Sequence, residues 1–101
     1  MILEIADITI PPGKQAEFDE AISRALRTVV SKAQGLRGFQ VHKGIESPER
    51  YVLMIQWDTL EAHTVGFRQS PAFAEWRGIV GPFFAKPPVV EHFNLLVEGK
   101  A

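Results

Sequence analysis

Residues 2–10 carry apolar side chains at Ile2, Leu3, Ile5, Ala6, Ile8 and Ile10, broken only by Glu4, Asp7 and Thr9. Neither alternating set is cleanly polar, which predicts a strand with both faces covered. Pro11-Pro12-Gly13 ends it. The period then changes. Phe18, Ile22, Ala25, Leu26, Val29 and Ala33 fall on one helical face, so a helix is predicted over 14–33. Its acids (Glu17, Asp19, Glu20) come early and its bases (Arg24, Arg27, Lys32) late, as the helix dipole favours. Gly35 supplies a stop.

Two strands are predicted next, over 37–45 and 50–58, joined by a hairpin at Glu46-Ser47-Pro48-Glu49. Phe39, Val41 and Ile45 alternate in the first, whereas Tyr51-Val52-Leu53-Met54-Ile55 in the second is almost wholly apolar. Thr59 can cap a short helix over 60–68 with Leu60, His63, Thr64 and Phe67 on one stripe. Ser70-Pro71 reads as a cap followed by proline at the first helical position, opening a helix over 71–80 that Gly81-Pro82 ends. A last strand is predicted over 89–97. The order strand–helix–strand, strand–helix–strand is that of an α+β, ferredoxin-like βαββαβ fold with a four-stranded antiparallel sheet. Helices cover one face of such a sheet, and the doubly apolar first and third strands require a cover for the other. Two sheets packed face to face in a homodimer would provide it.

Composition narrows the chemistry. The chain has 101 residues, so one domain over 1–101 is expected. Eleven Lys and Arg against twelve Asp and Glu give a formal charge of −1, without the basic footprint of a nucleic-acid or anionic-membrane binder. No cysteine is present, which excludes thiolate metal sites, disulfides and Cys nucleophiles. The apolar N-terminus lacks a basic segment and contains two acids, so it does not read as a signal peptide, and the expected location is the cytoplasm. Phosphate-loop, dinucleotide and nucleophile-elbow motifs are absent. His42, His63 and His92 are widely separated and form no local metal-ligand pattern, so no metal or other cofactor is expected. Six of the ten aromatic residues (Trp57, Phe67, Phe73, Trp76, Phe83 and Phe84) lie between 57 and 84. An aromatic-lined helical cover over a sheet suits a planar apolar ligand.

The opening strand, the Pro12-Gly13 helix start, and Trp57-Asp58-Thr59-Leu60-Glu61-Ala62-His63 followed by Phe67-Arg68-Gln69-Ser70-Pro71-Ala72-Phe73 resemble the antibiotic biosynthesis monooxygenase family over residues 2–95. The resemblance implies a dimeric α/β barrel. It also implies relatives that include cofactor-independent oxygenases of phenols and anthrones, quinol oxygenases, haem-degrading enzymes and an isomerase of a signalling sugar phosphate. Two positions depart from the family. Phe67 stands where many members have a histidine, and His63 lies one turn earlier. The Asn, Trp and His of the haem-degrading branch match Asp7, Phe67 and Arg77, which leaves no axial haem ligand.

His63 reads either as a buried structural histidine or as a general base. Arg77 either snorkels over aromatic rings or points inward to stabilise an anion. In the second case the resemblance makes Asp7 its nearest counter-ion. Trp57, Phe67, Phe73 and Trp76 are core residues or walls of a substrate pocket, and His92 lines that pocket or bridges subunits. The leading expectation is a cofactor-independent monooxygenase that oxidises an electron-rich aromatic (phenol, hydroquinone or anthrone) with O₂, using His63 as base and Arg77 as anion stabiliser. A non-catalytic binder of a small apolar ligand is the alternative. An isomerase of a small metabolite ranks last, because it needs several convergent cations and the sequence offers only Arg77.

Overall fold

A computed structural model describes residues 1–101. The elements run β1 (Ile2–Thr9), α1 (Gln15–Thr28), β2 (Leu36–Lys43), β3 (Arg50–Trp57), a π-helical turn (Ala62–Phe67), α2 (Pro71–Val80) and β4 (Val89–Phe93). The sheet order is β2-β3-β1-β4 and every neighbouring pair is antiparallel, the ferredoxin-like arrangement.

Strand alternation divides the residues between two environments. Glu4, Ala6 and Ile8 of β1 and Tyr51, Leu53, Ile55 and Trp57 of β3 are buried beneath the helices. Phe18, Ile22, Ala25 and Leu26 of α1 pack into the same core, with the Phe18 and Tyr51 rings edge to face at 4.7 Å. The opposite face bears Leu3, Ile5, Val52, Met54 and Phe93, which no element of the chain covers; Phe93 is 44% exposed.

Three predicted elements need correction. The first helix ends at Thr28, five residues early, and a 3₁₀ turn (Val30–Lys32) carries the chain on. Thr28-Val29-Val30 is a β-branched run, which crowds a helical turn. The short helix is a π turn rather than an α-helix, with Arg68 N–H donating to the His63 carbonyl at 3.0 Å. The last strand stops at Phe93. Leu95, Leu96 and Val97 are exposed and pair with nothing, so an apolar run read as strand lies outside the sheet. Gly35 does close the preceding segment. Its φ of +85° belongs to glycine, and a Cβ there would stand 2.8 Å from that of Ala62. This close approach seats the start of the π turn against the sheet.

Candidate functional site

Between the sheet and the cover formed by the π turn, α2 and residues 81–88 lies a cavity of about 730 Å³, with eleven of its nineteen lining residues apolar. Its floor is the helix-facing side of β1 and β3: Glu4, Ala6, Ile8, Leu53 and Ile55. Its cover includes His63, Phe67, Phe73, Trp76 and Phe84. Thr59 accepts a hydrogen bond from the Ala62 N–H at 3.1 Å, starting the turn that carries His63. His63 and Phe67 then both point inward, 4% and 5% exposed. Phe67 meets Phe73 edge to face at 5.7 Å. Proline at the start of α2 fixes its first turn, and the helix brings Phe73, Trp76 and Arg77 to the wall.

His63 is the centre of a buried polar cluster. Its ring stacks on Trp57 at 5.1 Å between centroids. Its Nδ1 is 2.7 Å from Nε2 of His92, and its Nε2 is 3.4 Å from a Glu4 carboxylate oxygen. The same oxygen accepts the Trp57 indole N–H at 2.9 Å. The short contact between two imidazole nitrogens requires one proton between them, so one ring donates while the other accepts. Burial, reinforced by Arg68 and His92, pushes the His63 pKa down to about 4, leaving the ring neutral at pH 7. Burial pushes Glu4 up, against the Trp57 N–H and the Arg68 charge, which pull it down. His92 is lowered by burial and by Arg68. Glu4, His63 and His92 form a line rather than converging, and no three such side chains are placed to hold a metal ion.

Folding therefore keeps His63 neutral through a range in which the unfolded imidazole takes up a proton. The stability this represents is present above about pH 6.5 and is lost as pH falls toward 4. At about 1.4 kcal/mol per unit, the loss approaches about 3 kcal/mol. Thermal unfolding of His63→Gln, whose side chain does not titrate, is expected to show a shallower loss of stability over that range than the parent protein. Equal slopes would remove His63 as the source.

Arg77 lies on the cavity wall, with its guanidinium 5.9 Å from the Phe73 ring centroid. It shares the wall with Arg68 and Lys86, and none of the three has a carboxylate partner within 4 Å. The expectation of a single cation is thus corrected to three. The expected Asp7–Arg77 pairing is also corrected. Asp7 is on the opposite face of β1, where Arg50 holds its carboxyl below the usual carboxylate range through contacts of 2.7 and 3.0 Å. The odd-numbered positions of β1 all face away from the cavity, so Asp7 and Arg77 are separated by the sheet. Trp57 is fully buried behind His63 instead of lining the cavity, and His92 stands at the sheet edge beyond it. His63, Phe67, Phe73, Trp76 and Arg77 do come together on one cavity.

Glu4, Arg68 and Lys86 lie outside the candidates that the sequence offers. For Glu4 a signal existed: it falls in the same alternating set as Ala6, Ile8 and Ile10, so an acid was due to be buried with them. Arg68 directly follows the Phe67 stripe. Lys86 carries no comparable mark.

Residues 1–78 match the family model for antibiotic biosynthesis monooxygenase. YczJ, an uncharacterised protein of Bacillus subtilis (strain 168), is 35% identical over 97 residues, covering 93% of this chain and 98% of its own. A crystal structure of a candidate antibiotic biosynthesis monooxygenase from Bordetella bronchiseptica superposes with a TM-score of 0.89 at 42% identity, over 95% of this chain and 97% of that one. The Streptomyces coelicolor monooxygenase from the gene ActVA-Orf6, solved in complex with Nanaomycin D, shares the fold at a TM-score of 0.84 and 17% identity, over 99% and 91% of the two chains.

Proposed function

The chain belongs to the antibiotic biosynthesis monooxygenase family, and from that premise we propose that it oxidises an electron-rich aromatic of the phenol, hydroquinone or anthrone type with O₂ and no cofactor. The observation that carries this reading is the placement of a buried proton-handling cluster and unpaired cations on one aromatic-lined cavity. The whole chain, 1–101, acts as one such domain.

The chemistry needs little from the protein. For an anthrone, the cluster centred on His63 takes a proton from the ring CH₂. Arg77 and Arg68 stabilise the resulting anion in a cavity whose aromatic walls displace water. That anion passes one electron to O₂, and the two radicals combine to a peroxide anion. The peroxide takes the proton back and loses water, leaving C=O. The balance is R₂CH₂ + O₂ → R₂C=O + H₂O, with no net proton exchanged with solvent. Oxygen uptake with anthrone or 1,4-dihydroxynaphthalene and purified protein, without flavin, haem or metal, is the expected result. If no phenol, quinol or anthrone supports uptake above the buffer rate while ligands still bind, the cavity belongs to a non-catalytic binder. The three cations also lift the objection to an isomerase of an anionic metabolite. Saturable binding of a sugar phosphate in preference to an aromatic would favour that reading.

The bare sheet face is proposed as the surface of a homodimer. Leu3, Ile5, Val52, Met54 and Phe93 form its apolar centre beside the Asp7–Arg50 pair. Sedimentation at micromolar concentration is expected to give twice the chain mass, and Met54→Asp at the centre of that face to shift the protein toward monomer. A stable monomer of the parent protein would rule the interface out. No helix of the chain is long and apolar enough to cross a membrane.

A further inference from the structure

The cavity reaches two titratable groups that are nearly sealed from solvent, Glu4 at 5% exposure and His63 at 4%. They are the chain's only buried polar or charged residues, and they are adjacent. Resting on the oxygenase reading above, we propose that Glu4 is the catalytic residue that takes and returns the substrate proton. His63 and His92 are then positioning residues, and they form the path along which Glu4 exchanges its own proton with solvent.

The geometry of His63 favours this division of labour. Both of its ring nitrogens are already engaged, Nδ1 with His92 and Nε2 with Glu4, and one ring face is stacked on Trp57. Glu4 keeps a second carboxylate oxygen beyond the one shared by Trp57 and His63, and the residue lines the cavity. Register completes the line. Glu4 on β1 is paired directly with His92 on β4, so both side chains stand on the same face of the sheet. Strand β4 is an edge strand, and His92 is half-buried at that edge. The charged group acting on all three residues is Arg68.

Two proton arrangements satisfy these contacts. In the first, protonated Glu4 donates to Nε2 of His63, and Nδ1–H of His63 donates to Nε2 of His92. In the second, ionised Glu4 accepts from Nε2–H of His63, and Nδ1 of His63 accepts from Nε2–H of His92. Passing from first to second moves one proton from Glu4 to His63, one from His63 to His92, and one from Nδ1 of His92 to water. One O–H and two N–H bonds break, and one N–H bond forms on each imidazole. The third proton goes to water. Glu4 becomes a carboxylate without water entering the cavity, and the neutral His63 never has to hold a full charge. The 3.4 Å contact between Glu4 and His63 must tighten for the hop, as catalytic hydrogen bonds do when the ligand is in place.

The test has one arm that needs no substrate. Long-range ¹H–¹⁵N spectra of the histidines, followed between about pH 5 and pH 9, report which ring nitrogen carries the proton. His63 is expected to change from the Nδ1–H to the Nε2–H form as pH rises, with His92 moving at the same midpoint. Glu4→Gln keeps an acceptor for Trp57 and offers N–H to His63, so it should hold the Nδ1–H form throughout. A His63 tautomer that is constant with pH, or that switches equally in Glu4→Gln, overturns the path. In the second arm, Glu4→Gln should lower oxygen uptake with anthrone by about 10² to 10⁴, while folding and anthrone affinity persist. Uptake at the parental rate in that variant overturns the catalytic role and leaves the oxygenase reading standing. A tautomer switch without any uptake by the parent protein defeats the oxygenase reading, and with it the catalytic role of Glu4, but upholds the proton path.

Discussion

Oxygen uptake by His63→Ala protein is expected to fall by roughly 10² to 10⁴, the usual contribution of a positioned proton-transfer group. The substitution removes the one side chain that touches both Glu4 and His92. It severs the cluster from the sheet edge and strips the second contact from a buried carboxylate. It also leaves the cavity walls (Phe67, Phe73 and Trp76) in place, so the loss should fall on turnover more than on ligand binding. Arg77→Met, close in length but uncharged, should slow turnover as well by removing a charge from the developing anion. Steady-state oxygen consumption, paired with fluorescence titration of an aromatic ligand, separates the two parameters. Unchanged uptake in a folded His63→Ala protein with parental ligand affinity would make His63 a structural histidine and end its part in the proton transfer.

The largest effect on stability is expected at Trp57. Its ring is fully buried, stacks on His63, lies 5.7 Å from the Phe67 ring and donates to Glu4. Truncating a buried tryptophan to alanine costs about 3–5 kcal/mol. Domains of this kind hold only about 5–15 kcal/mol in total, so Trp57→Ala should be largely unfolded well below the parental melting temperature. Trp57→Phe keeps most of the ring and deletes the N–H, isolating the hydrogen bond to Glu4 at about 1–3 kcal/mol. That variant should also raise the Glu4 pKa further, because the lost donor was one of two influences holding it down. Urea unfolding at several pH values checks both. A Trp57→Phe protein as stable as the parent would mean that Glu4 is protonated and adequately partnered without the indole.

The order of elements was legible in the sequence because each carries its own period: apolar pairs in β1 and β3, a stripe of one residue in three or four in α1, and proline at the start of α2. The clustering of aromatics between 57 and 84 likewise anticipated where the cavity wall would come from. Two failures share one cause. Resemblance puts Asp7 beside Arg77 and gives Glu4 no part, although strand alternation alone assigns the two acids to opposite faces. A strand with apolar residues on both sides hides that parity, since neither face declares itself. The last strand runs shorter than its apolar pattern for a different reason. Leu95-Leu96-Val97 is as apolar as a strand, but pairing needs a neighbour, and periodicity says nothing about neighbours. Arg68 and Lys86 come to line the same cavity as Arg77 only through the fold, and the spacing of 68, 77 and 86 in the chain marks no common face.

The π turn has a meaning in the language of insertion and deletion. A hydrogen bond from residue 68 back to residue 63 encloses one residue more than an α-helical bond would. Between Ala62 and Phe67 the chain therefore holds a single surplus residue that the backbone absorbs without opening a loop. Removing one exposed residue there, Val65 for instance, would let the segment relax to ordinary helix with its ends still joined. With the surplus residue gone, the side chains on either side of the cut would keep their present directions, whereas a deletion in ordinary helix would turn everything beyond it by about 100°. His63 and the ring that now follows it would stand three residues apart, a spacing that still shares one helical face. A chain one residue shorter here would keep both the fold and the wall of the cavity, so this turn is the place in the cover where a single-residue gap is absorbed with least change to the site.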